Sequence, residues 1–120
     1  MRKSVRTSLL VVAFLLSACL SEGAEMASAV DAIKEGAALI DVRTAEEYAG
    51  GHIEHSTRIG HGAIVDGVAK LGLEKDDVIV VYCRSGNRSG KAKAALESEG
   101  YQHVINGGGY RSLQQGLGNG

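Results

Sequence analysis

The stretch Val78-Ile79-Val80-Val81-Tyr82-Cys83-Arg84-Ser85-Gly86-Asn87-Arg88 decides how the rest of the chain is read. Its first five residues form a short apolar run rich in β-branched side chains, the pattern of a strand buried on both faces. Cys83 then opens a polar, glycine-containing loop, and a helical pattern starts at once after it in Ser89-Gly90-Lys91-Ala92-Lys93-Ala94-Ala95-Leu96. A thiol carried off the end of a strand, with a helix N-terminus beneath it and two arginines beside it, is arranged to ionise and to hold an anion. Most free cysteines are inert, buried small hydrophobes. Here Arg84, Ser85, Gly86, Asn87 and Arg88 are loop-forming and polar where a core position has apolar neighbours, so Cys83 is expected to be a nucleophile.

Compartment supplies a second argument. Arg2, Lys3 and Arg6 precede an apolar run from Leu9 to Leu16, and Ser17-Ala18-Cys19 follows, which is the charged, apolar and small-residue order of a secretory signal. The run is too short to span a bilayer comfortably. Leu16-Ser17-Ala18-Cys19 is similar to a bacterial lipobox, in which the cysteine is lipidated and begins the mature protein. The alternative is ordinary cleavage a few residues later. Residues 1–18 are thus read as a signal peptide of lipoprotein type, 19–26 as a linker, 27–117 as the domain and 118–120 as a tail. A periplasmic domain, anchored to the membrane through Cys19 if lipidated, is expected. Of the two cysteines, only Cys83 then remains free, and a lone thiol in an oxidising compartment is a liability unless it is used.

Losing Arg2, Lys3 and Arg6 takes the balance from 13 basic and 14 acidic residues to 10 and 14. A mildly acidic domain argues against nucleic acid or an anionic membrane face as the main partner, since both call for a basic patch. Positive charge gathers instead around Cys83, from Arg84, Arg88 and Lys91. About a hundred residues suffice for one domain with one core, and a monomer is expected.

The chain has 17 glycines and no proline, so glycine does the punctuating. Ala27 to Glu35 reads as a helix stopped by Gly36, and Ala38 to Val42 as a strand. Thr44-Ala45-Glu46-Glu47 fits a capping box opening a brief helix that ends at Gly50-Gly51. A short strand is expected at Thr57-Arg58-Ile59, and a helix over 63–71 from the spacing of Ile64, Val68 and Leu71. The strand 78–82, a helix to about Glu99 closed by Gly100, a short strand at Val104-Ile105 and a helix over Gly109 to Gln115 complete the order. Strands alternating with helices imply an α/β fold, a doubly wound parallel sheet with helices on both faces. Ligands of such sheets bind beyond the carboxyl ends of the strands, where both Cys83 and Asp41 to Arg43 are expected to lie.

Consecutive loop amides between Cys83 and Arg88 can curl into a cradle that favours a thiolate and stabilises negative charge on whatever is attacked. Two chemistries use this device. One attacks a tetrahedral oxyanion, as in cysteine-dependent phosphatases and arsenate reductases; the other attacks the outer sulfur of thiosulfate or a persulfide. Asp41 and Arg43 are read as structural support at a strand end, satisfying loop amides and each other. Arg88 either binds an anionic donor or ties the loop to a carboxylate, and Arg84 points outward to attract anions. His52 supports a turn. His55, His61 and His103 share no short ligand spacing, so no metal site is expected. Gly107 to Gly109 reads as a turn that either lets backbone approach the active loop or simply punctuates.

Three stretches together resemble the rhodanese family, in particular its small single-domain sulfurtransferases of the bacterial periplasm. Asp41-Val42-Arg43-Thr44-Ala45-Glu46-Glu47-Tyr48-Ala49-Gly50-Gly51-His52-Ile53 resembles the family's Asp-Val-Arg, Glu-aromatic and Gly-His-Ile signature. Val80 to Ser89 is similar to its strand and active-site loop, and Gly107-Gly108-Gly109-Tyr110 to its closing glycines and aromatic. The resemblance implies a rhodanese-like fold and a thiosulfate sulfurtransferase that forms a persulfide on Cys83 and passes the sulfur to cyanide or to a small or protein thiol. It implies no cofactor, and Arg84, Ser85, Gly86, Asn87 and Arg88 as the binding loop. A sulfur carrier that relays a persulfide would use the same loop. Family sulfurtransferases share a six-residue loop, which Cys83 to Arg88 fits, whereas the related phosphatases and arsenate reductases use one residue more. Tyrosine phosphatases place an arginine where this chain has Ser89. Departures are His55-Ser56 where the family commonly has Gly-Ala, and Tyr110 where tryptophan is usual.

Overall fold

The computed structural model describes residues 21–118. The signal peptide and Cys19 lie outside the described residues, as do Asn119 and Gly120 of the tail. The elements are α1 (Ser21–Lys34), β1 (Ala38–Asp41), α2 (Ala45–Ala49), β2 (Thr57–Arg58), a 3₁₀ turn (His61–Ala63), α3 (Ile64–Lys70), β3 (Val78–Cys83), α4 (Asn87–Ser98), β4 (His103–Gly109) and α5 (Tyr110–Gly116).

The four strands form one wholly parallel sheet in the order β2-β1-β3-β4. Strand direction and alternating side-chain faces sort the core into two layers. Ile40, Ile79, Val81 and Cys83 point to one face and pack with Ile64 and Val68 of α3 and Ala92 and Leu96 of α4. Leu39, Val80 and Tyr82 point to the other and pack with Ala29 of α1 and Leu113 of α5. The sheet is therefore doubly wound, as the alternation of elements implies. β3 is the second of the two central strands, which explains its near-continuous apolar run. Each fully buried Val or Ile there contributes about 1.5–3 kcal/mol of burial free energy.

Two elements differ from the sequence reading. α1 starts at Ser21 rather than Ala27, so residues 21–26, read as linker, are helical. Glu25 is the reason they pack: its Oε2 accepts from Lys93 Nζ of α4 at 2.5 Å and from the Asn106 amide of β4 at 2.9 Å. A carboxylate thus covers an edge-strand N–H that would otherwise lack a partner. β4 is also longer than Val104-Ile105, running from His103 to Gly109. Gly107 to Gly109 are strand, not turn, because pairing with β3 continues past an irregularity: Val81 pairs with Asn106, and Cys83 with Gly109. One extra residue of β4 is accommodated there as a bulge, with Gly108 at φ 83°.

The chain leaves β1 for one side of the sheet and returns to the other side to form β3, so the reversal in strand order lies between these neighbours. Crevices at such reversals are where ligands bind in open α/β sheets. The carboxyl ends at that reversal are Asp41 and Cys83.

Candidate active site

Cys83 is the last residue of β3 and is fully buried, while Arg84, Ser85 and Asn87 of the loop are exposed. The turn from β3 into α4 depends on Gly86, which sits at φ 97° as the N-cap of α4, a conformation that costs an L side chain strain. It aims the Gly86 amide at the cysteine, with N to Sγ 2.9 Å. Ser89 Oγ, one helical turn on, lies 3.4 Å from the same sulfur. Burial alone pushes the thiol up, but hydrogen bonds from the Ser89 hydroxyl and from the amides of Ser89, Ser85 and Gly86 outweigh it, and the Cys83 thiol is held below its ordinary value. The amide cradle expected from the loop spacing is present, directed at the sulfur.

The network reaches one residue that the sequence reading missed. Ser89 Oγ is 2.8 Å from Asn106 Oδ1, which also accepts from the Gly108 amide at 2.9 Å, and Asn106 Nδ2 donates to the Gly86 carbonyl at 3.2 Å. Ser89 itself is fully buried. A lone Asn in a short apolar segment gives no sign of this role in sequence, because only the pairing of β3 with β4 brings Asn106 beside the loop.

Gly109 makes the second contact with the loop. A Cβ there would lie 2.7 Å from the Arg84 carbonyl oxygen and 3.4 Å from Ser85 Cα, and one on Gly86 would lie 3.4 Å from Gly108 Cα. Of the two readings of the glycine run, close backbone approach is the one the structure bears.

Arg88 reaches a carboxylate of α2. Its Nη1 and Nη2 lie 2.7 and 3.0 Å from Glu47 Oε1 and Oε2, a two-pronged ion pair from α4 to α2. Of the two readings of Arg88, the tie to a carboxylate is the contact present: its fork holds the carboxylate that also caps α2 through the Thr44 amide. Sequence spacing showed the capping box but not the partner of Glu47. Asp41 and Arg43, read as structural support, pair with each other. Both are buried, joined by Nη2–Oδ2 at 2.6 Å, with Arg43 N on Asp41 Oδ1 at 2.9 Å and Nη2 on the Gly51 carbonyl at 2.7 Å. The Arg43 guanidinium lies 4.5 Å from the Tyr110 ring centroid, so the aromatic that follows the glycines covers this pair.

His52 closes its turn: Nδ1 bonds the Tyr48 carbonyl at 2.8 Å and the ring stacks on Tyr48 with centroids 3.6 Å apart. Tyr82, below Cys83 on the opposite face, accepts from the Ile53 amide at 3.0 Å and donates to Ser56 Oγ at 3.3 Å, and burial pushes its hydroxyl well up. Beside the loop, a cavity of about 540 Å³ is lined by Arg84, Gly109, Tyr110, Arg111 and the two glutamates of α2. Among the described residues neither the Arg84 nor the Arg111 side chain has a hydrogen-bond partner, and both are exposed. Arg111 was not singled out in the sequence.

Comparison with known proteins agrees with this geometry. The family model described as Rhodanese-like domain matches residues 25–115. The thiosulfate sulfurtransferase PspE of Escherichia coli K12 is 36% identical over 74 residues, 62% of this chain and 71% of that protein. The thiosulfate sulfurtransferase GlpE of Pseudomonas savastanoi pv. phaseolicola is 38% identical over 77 residues, again 62% and 71%. Among solved structures, a rhodanese with anions from E. coli superposes with a TM-score of 0.61 at 36% identity, covering 63% of this chain and 89% of that one. The human single-domain sulfurtransferase TSTD1 gives 0.60 at 26% identity, with 71% and 88% covered. With its parallel sheet, its cysteine at the end of β3 and its family match, this chain belongs to the rhodanese-like domain family.

Proposed function

We propose that this protein is a thiosulfate sulfurtransferase in which Cys83 carries the sulfur. The observation that bears most weight is the buried Sγ under the Gly86 amide and the Ser89 hydroxyl, at the reversal point of a rhodanese-like sheet. The Cys83 thiolate attacks the outer sulfur of thiosulfate; a new S–S bond forms, the old one breaks, and sulfite leaves with its electron pair. The terminal sulfur of the resulting persulfide carries the negative charge, which the loop amides are placed to hold. Cyanide or a thiolate then attacks that sulfur, and Cys83 is returned as thiolate. Two half-reactions through one covalent intermediate make the cycle ping-pong, and no electrons are gained or lost overall.

Hydrolysis or reduction of a tetrahedral oxyanion is the weaker reading, for a stated reason. Such centres are clamped by a guanidinium from the loop, and Arg88 is committed to Glu47 instead. A persulfide relay to a protein acceptor uses the same chemistry and differs only in the second half-reaction. The leader-like order of residues 1–18 supports work outside the cytoplasm, which cell fractionation reads directly.

The test is intact-mass measurement after incubating the purified protein with thiosulfate. One added sulfur atom, removed by cyanide and lacking in Cys83→Ser, is expected. No adduct on a folded, reduced protein, or an adduct that persists in Cys83→Ser, overturns the assignment.

A further inference from the structure

We propose that Asn106 is a positioning residue for the nucleophile: by holding the Gly86 carbonyl it keeps the Gly86 amide aimed at the sulfur, and its Oδ1 holds the Ser89 hydroxyl while Cys83 is neutral. The argument starts from valence. The Ser89 hydroxyl has one proton and two acceptors in reach, Asn106 Oδ1 at 2.8 Å and Cys83 Sγ at 3.4 Å. With Cys83 neutral, the shorter contact takes the proton. When Cys83 ionises, the proton turns to the sulfur, and Asn106 Oδ1 stays satisfied by the Gly108 amide at 2.9 Å. In the thiolate state Oδ1 and the Ser89 oxygen share no proton, so the hold of Asn106 on the site in that state is the one through Gly86.

The other end of the same amide holds the loop. Asn106 Nδ2 donates to the Gly86 carbonyl at 3.2 Å, and the Gly86 amide is the donor 2.9 Å from Sγ. Gly86 is the residue most free to swing, having no side chain and a left-handed backbone. Asn106 is itself anchored, since its amide donates to Glu25 Oε2. It thus links α1, the bulge of β4, the first turn of α4 and the loop. The charged groups around this network are paired with each other: Glu25 of α1 with Lys93 of α4, and Glu47 of α2 with Arg88 of α4. Asn106 acts on the sulfur through geometry and not by carrying charge.

This inference rests on Cys83 being the nucleophile, and its test is read on the thiol itself, so that it fails or succeeds apart from sulfur transfer. The rate of Cys83 alkylation by iodoacetamide is followed against pH for the wild type, Asn106→Ala, Ser89→Ala and the double variant. Asn106→Ala is expected to raise the midpoint by about one unit, which is about a tenfold smaller thiolate fraction at a pH below the midpoint. The rise is expected to be at least as large in the Ser89→Ala background, since the competition of Oδ1 with the sulfur for the Ser89 proton works in the opposite sense and is then absent. Sulfur loading by Asn106→Ala is expected to fall by a similar factor near neutral pH and to recover at high pH. A merely structural role lowers thermal stability without moving the midpoint. Asn106→Ser stays neutral and is too short to reach the Gly86 carbonyl; it is expected to give the same rise, and it decides the matter if the alanine variant does not fold. An unmoved midpoint in the folded variants, or a rise that disappears in the Ser89→Ala background, overturns the proposal.

Discussion

At the scale of single residues, the two loop arginines have opposite surroundings although their sequence context is alike. Arg88 is spent on Glu47, whereas Arg84 is exposed at the edge of a cavity it shares with Arg111. We propose Arg84 as the loop cation that attracts a dianionic donor. Arg84→Ala is expected to raise KM for thiosulfate about threefold to tenfold at low ionic strength, an effect that shrinks with added salt because the charge is solvent-facing. Steady-state kinetics at two salt concentrations check this; an unchanged KM at low salt would remove Arg84 from donor binding. His55 is another residue whose setting sequence could not disclose. It sits at φ 70°, where the family commonly carries glycine, and is the one non-glycine residue with positive φ among those described.

At the scale of elements, β4 and the active loop are built against each other. Gly109 lies so close to the loop that a methyl group there would be 2.7 Å from the Arg84 carbonyl oxygen. Backbone cannot give way as a flexible side chain can, so either the loop or the end of β4 must shift. Gly109→Ala is expected to reduce sulfur loading of Cys83 by about tenfold or more, since misplacing a positioned group by a fraction of an ångström to an ångström already costs that much. Persulfide formation measured by intact mass over time is the readout, with circular dichroism to show that the sheet survives. Full loading rates in a folded Gly109→Ala protein would show that the close approach does not set loop geometry.

At the scale of the whole molecule, ion pairs tie distant elements together, and acid should untie them. Glu47 joins α2 to α4, and the Arg88 guanidinium with the Thr44 amide lowers its carboxyl from 4.5 to about 2. Glu25 is lowered as well: burial pushes it up, but Lys93 and the Asn106 amide outweigh that. For a carboxylate depressed in the folded state, the stabilisation is complete above the ordinary value and is lost as pH falls toward the folded one. Urea midpoints are expected to be flat above about pH 5 and to fall from there toward about pH 2. Glu47→Gln should start lower at neutral pH and fall less steeply. A Glu47→Gln curve parallel to the wild type would mean that this pair does not contribute to acid stability.

Read by itself, the sequence determined the alternation of strands and helices, the doubly wound layout, the capping box at Thr44 and the place of the proposed nucleophile. Those depend on local signals: the apolar run of 78–82, glycine stops, and a thiol where strand passes to polar loop. Resemblance to the rhodanese family extended this to the chemistry. What only the tertiary structure decided are partnerships between residues far apart in the chain: Arg88 with Glu47 instead of an anion, Glu25 with Lys93 and β4, and Asn106 with Ser89 and Gly86. The glycine run of 107–109 shows why. In sequence, three glycines signal freedom, which fits a turn as well as a strand. The parallel pairing of β4 with β3 turns that freedom into a bulged strand pressed on the loop, because hydrogen-bond register is set by the partner strand and not by the residues that follow it.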